Sequence, residues 1–139
     1  MSALHTAKKA LAAFNRHDAE AFAALYAEDA VAPDPQYADP LQGREAIRKD
    51  IADFFLAFPD VRARSANFLV DGDTVAFEVE ITGTHNGPLV TPEGPVPATG
   101  KQVKMTGGRF VQVNSRGQIV SCRRYYDLAG LVQQLGLFS

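Results

Sequence analysis

The chain has 139 residues, 46% of them hydrophobic and 22% charged, with a formal net charge of -2. This is the size of one domain with a real core, and no run of Lys or Arg exceeds two, which argues against a nucleic-acid backbone footprint. A single cysteine, Cys122, leaves no internal disulfide and no cysteine metal cluster, and no apolar run approaches the roughly 20 residues of a membrane span.

Leu4, Ala7, Leu11 and Phe14 recur at three- and four-residue spacing, which predicts a helix over about residues 3–16. Asn15-Arg-His17 breaks it. Asp18 is a candidate N-cap for a second helix reaching to about Ala27, with Phe22, Leu25 and Tyr26 inward. Pro33, Pro35 and Pro40 forbid regular helix, so 32–42 is expected to be a shaped loop. A third helix over about 44–58 carries Ile47, Ile51, Phe54, Phe55 and Phe58 as its apolar stripe, and Pro59 stops it. From there the chain reads as strand. Segments near 61–70 and 74–85 pair through Asp71-Gly72-Asp73. In the second of them Val75, Phe77, Val79 and Ile81 alternate with more polar neighbours, so one face is buried. Residues 86–100 hold four prolines and three glycines and read as a long loop of the lid or binding type. Strands over about 102–113 and 118–126 follow, and Gly107-Gly108 is a candidate bulge. Leu128, Leu131, Val132 and Leu135 give a short closing helix. Helices first and strands after make an α+β domain covering residues 1–139.

Seven stretches carry a family likeness. His17-Asp-Ala-Glu-Ala-Phe-Ala-Ala-Leu-Tyr-Ala-Glu-Asp-Ala-Val31 and Tyr37-Ala-Asp-Pro-Leu-Gln-Gly-Arg-Glu-Ala-Ile47 resemble the nuclear transport factor 2-like superfold. Gly83-Thr-His-Asn-Gly-Pro88, Ala98-Thr-Gly-Lys101, Gly117-Gln-Ile-Val120, Tyr126-Asp127 and Gln134-Leu-Gly-Leu137 resemble its SnoaL-like polyketide-cyclase and ester-cyclase group. The resemblance implies a cone-shaped barrel, with three N-terminal helices on a curved antiparallel sheet around a hydrophobic pocket. It constrains the reaction less, because this superfold hosts cyclases, isomerases, epoxide hydrolases and binding domains. Asp39, before Pro40, matches the general base of ketosteroid isomerases. Their oxyanion pair does not carry over, since it falls near Ala10 and Arg109. Asp127 matches the late acid of the polyketide cyclases.

These residues define the expected site. Asp39, His85 and Asp127 are the candidate catalytic groups, because a desolvated carboxyl or imidazole can move a proton near neutral pH. Tyr37, Phe54, Phe58, Arg109 and Tyr125 are the candidate substrate-binding residues. Each has a plainer reading: Asp39 as a turn former, Asp127 as a helix cap, His85 as the anchor of the 86–100 segment. The three histidines have no metal-ligand spacing. No cofactor and no metal is expected. The expected chemistry is that of a cyclase- or isomerase-like enzyme acting on a small apolar carbonyl compound. The alternatives are an epoxide hydrolase in which Asp and Arg activate water, or a non-catalytic ligand-binding domain. The remaining expectations are a homodimer, no nucleic-acid or membrane partner, and a cytoplasmic location, since residues 1–9 lack an apolar signal core.

Overall fold

The computed structural model describes residues 2–137. The first helix, α1 (Ala3–Asn15), is capped by the Ser2 side chain and ends where His17 takes a positive φ. Its buried face is mostly alanine and threonine, closing on Phe14. The second helix, α2 (Ala19–Ala24), starts at the Asp18 cap as the sequence predicts, but stops early. Tyr26–Ala32 is instead a strand, β1, not the end of a helix. Helical periodicity misreads this stretch because the strand is recruited from outside it: Leu25 O accepts from Ile119 N, and β1 runs parallel to the last strand.

A two-residue strand β2 (Leu41–Gln42) returns along β1. Helix α3 (Arg44–Ala57) then buries Ile47, Ile51 and Ala57. The hairpin of β3 (Arg62–Asp71) and β4 (Thr74–Thr84) turns at Gly72. Inside 86–100, where no regular structure was expected, lies a small hairpin of β5 (Leu89–Thr91) and β6 (Gly94–Val96). The long strands β7 (Gln102–Val113) and β8 (Ile119–Tyr126) follow, then helix α4 (Leu128–Gln134).

The sheet is curved and six-stranded, in the order β2-β1-β8-β7-β4-β3. It is mixed, because the β1–β8 pairing is parallel while its neighbours are antiparallel. Val75, Phe77, Val79 and Ile81 all face the core, as alternation predicts. Burying each such side chain contributes on the order of 1.5–3 kcal/mol. Helix α1 lies against β3, β4 and β7.

No bulge occurs at Gly107-Gly108. The register with β4 runs through both residues without a break, and the irregularities fall instead at Gln112/Val113, between Ala66 and Leu69, and between Tyr26 and Val31. The glycine at 107 has a different cause: a Cβ there would stand 2.2 Å from the Tyr125 carbonyl oxygen. Because the register is unshifted, Arg109 keeps the parity of Val103 and Val111 and faces inward.

Candidate active site

Helix α3, helix α4, the β5–β6 hairpin and the inner face of β7–β8 enclose a cavity of about 270 Å³. Its walls are chiefly apolar, from Phe54 on α3, Ile81 and Met105 on the sheet, Leu89 on the hairpin, Leu131 on α4 and Leu135 at its C-cap. Besides Asp53 on α3 and Glu93 in the β5–β6 turn, its charged lining residues gather around one place. Three cross-strand pairs stand side by side where β7 meets β8: Gly107 opposite Tyr126, Arg109 opposite Arg124, and Val111 opposite Cys122. Two guanidiniums are thus neighbours on the concave face.

The backbone supplies Arg124 with its partners. Arg124 N donates to Pro33 O, so the residue after Pro33 lands beside the Arg124 side chain. That residue is Asp34, held between Pro33 and Pro35, with its Oδ1 accepting from Gln36 N at 2.9 Å. Asp50 comes from α3, between Ile47 and Phe54 on the same apolar stripe. Arg124 Nη1 donates to Asp50 Oδ2 at 3.1 Å, and Arg124 Nε lies 3.4 Å from Asp34 Oδ2. The two side chains are 17% and 8% exposed, respectively. Tyr37 Oη donates to Asp50 Oδ1 at 2.8 Å, and Tyr126 Oη donates to Asp34 Oδ1 at 2.7 Å. The result is a chain, Tyr126–Asp34–Arg124–Asp50–Tyr37, along one wall of an apolar cavity.

Electrostatics fixes the protonation of the outer members. Burial, reinforced by Asp50, pushes the Tyr37 hydroxyl well above its ordinary pKa. Burial and Asp34 do the same to Tyr126. Both phenols therefore stay neutral donors. Burial alone would lower the Arg124 pKa, but Asp50 and Asp34 outweigh it and raise it, so the cation is locked in. Arg109 differs. It has no carboxylate within salt-bridge distance among the described residues and donates only to Gly108 O, at 3.2 Å. Burial pulls its pKa down, and the like charge of Arg124 adds to this. It remains a cation, as arginine does in proteins. Arg124 Nη2 is also buried without a hydrogen-bond partner among the described residues.

Of the residues singled out from the sequence, Tyr37, Phe54 and Arg109 line this cavity. The other five do not. Asp39 is exposed in its loop and is not part of the wall. Asp127 is exposed and caps α4, its Oδ1 accepting from Gly130 N at 2.8 Å. Tyr125 is 53% exposed on the outer face, where it packs edge-on against Phe110, because its parity is opposite to that of Arg124 and Tyr126. Phe58 is fully buried beneath the sheet's end, against Phe54 and His85. His85 is fully buried too, but at the root of the hairpin: its Nδ1 accepts from Thr99 N at 3.2 Å and lies 3.0 Å from Thr99 Oγ1. The same root is pinned to α3, where Gly87 N donates to Ala57 O and a Cβ on Gly87 would stand 2.0 Å from Leu56 O. Of the acids, the sequence reading missed Asp34 and Asp50. One signal for Asp50 was available, an acid three residues after Ile47 and four before Phe54, on a face otherwise apolar. The signal for Asp34 was its placement between two prolines.

A model of the SnoaL-like polyketide cyclases matches residues 5–135. The chain belongs to the SnoaL-like polyketide cyclase family. Solved structures agree. A candidate polyketide cyclase of Streptomyces antibioticus is 28% identical, with 98% of this chain and 99% of that chain covered and a TM-score of 0.76. One from Pseudomonas putida KT2440 is 27% identical, with 96% and 98% covered and a TM-score of 0.77. An epoxide hydrolase/cyclase-like enzyme of pyran ring formation in the polyether salinomycin is 20% identical, with 91% and 92% covered and a TM-score of 0.74, which shows the shared fold. No curated protein matches the sequence. Among the described residues no helix is long and apolar enough to cross a membrane, and no group of three or more His, Cys, Asp or Glu side chains is placed to hold a metal ion.

Proposed function

We propose that this SnoaL-like protein is a cyclase that moves protons with carboxylates, without a cofactor, on a small, largely apolar carbonyl compound. The observation that carries the reading is Arg124 clamped between Asp34 and Asp50 on the wall of an apolar cavity, with the unpaired Arg109 beside it. Asp50 is assigned as the base. It is the more exposed of the two acids, whereas Asp34 is held by Arg124, Tyr126 and the Gln36 amide.

The step proceeds as follows. A carboxylate oxygen of Asp50 takes a proton from the carbon next to the substrate carbonyl. The negative charge moves onto the carbonyl oxygen, where the Arg109 guanidinium donates to it. A water-poor pocket makes such a donor worth more than it would be in solution. The enolate carbon then attacks a second carbonyl of the same molecule, forming a carbon–carbon bond and an alkoxide. Asp50 returns the proton to that alkoxide. Atoms balance and no electron donor is needed.

The chain of two acids around one arginine also supports a second reading, in which one acid activates water and the other protonates an opening epoxide. Isotopes separate the two. Proton abstraction predicts Asp50-dependent deuterium exchange at the α-carbon of a bound ketone in heavy water. Epoxide opening predicts heavy oxygen from water in a diol product, with no α-exchange. For the cyclase reading, Asp50→Asn is expected to cut exchange by roughly 10²-fold or more. Exchange that survives Asp50→Asn sinks it.

We propose further that the chain forms a homodimer through the outer sheet face. Phe110 and Tyr125, exposed by 44% and 53%, lie there edge to face at 6.0 Å. Sedimentation that finds only monomer at micromolar concentration counts against this.

A further inference from the structure

Behind the two arginines lies a second, smaller cavity of about 80 Å³. The two spaces share a waist: Phe14, Ile51, Val79, Ile81, Arg109 and Arg124 line both. Beyond the waist the walls are chiefly apolar, and they include the small side chains of Ala7 and Ala10 on α1 and Ala63 on β3. These three small side chains leave the volume open. The polar side chains of the inner chamber beyond the waist are Tyr26 and Cys122, which lie beside one another. Among the described residues, the only cations touching the inner chamber are Arg109 and Arg124 at the waist. A space of this kind gains by holding hydrocarbon and has little to offer water.

We propose that the substrate is two-ended: its reacting carbonyl lies at the Arg109–Arg124 waist, its bulk fills the outer cavity, and a short saturated end occupies the inner chamber. This rests on the cyclase reading for the position of the carbonyl. Size follows from volume. An apolar cavity of about 150 Å³ holds a benzene molecule, so a chamber roughly half as large takes about three carbons and no ring. Ala10 and Ala7 then set the length of the saturated end.

The test uses alkyl phenyl ketones, from acetophenone to hexanophenone, with dissociation constants measured by calorimetry or ligand-observed NMR. The ring is too large for the inner chamber and stays outside. Affinity is expected to rise roughly fourfold per methylene until about three carbons follow the carbonyl, and then to level off. Ala10→Leu should move that break to about one carbon while leaving acetophenone binding unchanged. If Ala10→Leu does not fold, a measurement on the wild-type protein decides: the ligand's terminal methyl should show nuclear Overhauser contacts to the methyls of Ala7 and Ala10. A steady rise with no break, or contacts to Leu131 and Leu135 instead, overturns the proposal. The acid chemistry fails separately. Asp50→Asn should cut exchange by roughly 10²-fold or more without moving the break, and a break that stands beside undiminished exchange removes the base while keeping the chamber.

Discussion

Four of the acidic side chains near this cavity fall into two kinds of place. Asp39 and Asp127 sit in the connections at its edge, whereas Asp34 and Asp50 stand on its wall around Arg124. An acid in a connection has backbone amides to serve and water to hydrate it, as Asp127 does at the start of α4. An acid on a core-facing surface keeps its charge only if a cation is delivered to it, because desolvating a lone carboxylate is too costly. Proximity to the cavity is therefore a poor guide to chemistry. The useful sign is a carboxylate on an apolar face with a cross-strand arginine to meet it.

The strongest way to break this contrast is to remove the shared cation. Arg124→Met leaves both wall carboxylates unpaired, which is expected to cost about 3–5 kcal/mol. Thermal melting should fall by roughly 10 °C or more, and exchange activity should disappear. Arg109→Met is expected to spare the fold, since Arg109 has no carboxylate partner among the described residues, while cutting turnover by roughly 10²–10³-fold, the scale for losing an oxyanion donor. A large loss of melting temperature here would make Arg109 structural.

His85 sharpens the contrast from the side of pH. Burial holds its pKa below the ordinary histidine value. The unfolded chain therefore takes up this proton first as pH falls, so the contribution of neutral His85 is complete above about pH 6.5 and is lost on the way down to its folded pKa. The slope is at most about 1.4 kcal/mol per pH unit for one proton. Denaturant midpoints between pH 7 and 5 should show it, and His85→Gln should flatten it. A slope that persists unchanged in His85→Gln assigns the effect to another group. Asp127→Ala should cost about 1 kcal/mol of stability, as lost caps do, and leave catalysis alone. Loss of turnover without loss of stability would restore Asp127 to the site. Asp39→Asn should change neither quantity, and any drop in turnover beyond about threefold would argue for the isomerase-like role after all.

Most of the fold was legible because local pattern and burial agree. The Val75–Ile81 alternation, the Ile47–Ile51–Phe54 stripe and the Asp71-Gly72-Asp73 turn each give their element from neighbouring residues alone. Strand β1 was not legible, since Tyr26–Ala32 becomes a strand only by pairing with residues far along the chain. The site divides along the same line. Arg109, Tyr37 and Phe54 follow from parity or position, and the SnoaL-like resemblance gave the superfold. The acids did not follow, because their role depends on where Arg124 arrives, and Arg124 stood on one of two faces that the strand pattern alone left equal. Tyr125 shows the price of picking the wrong face.

The parallel seam between β1 and β8 also bears on time. Tyr126 meets Asp34 across 92 residues of chain, and Arg124 meets Asp50 across 74. Contacts this remote form late, after loop closure has been met by nearer pairings. A ribosome releases the two carboxylates long before it makes the cation that holds them. Until β8 has been synthesised and has docked, Asp34 and Asp50 are ordinary hydrated acids. Catalytic competence should therefore appear as the final event of folding, after the β3–β4 hairpin and the helices have already formed, and no emerging fragment that lacks β8 should act on substrate.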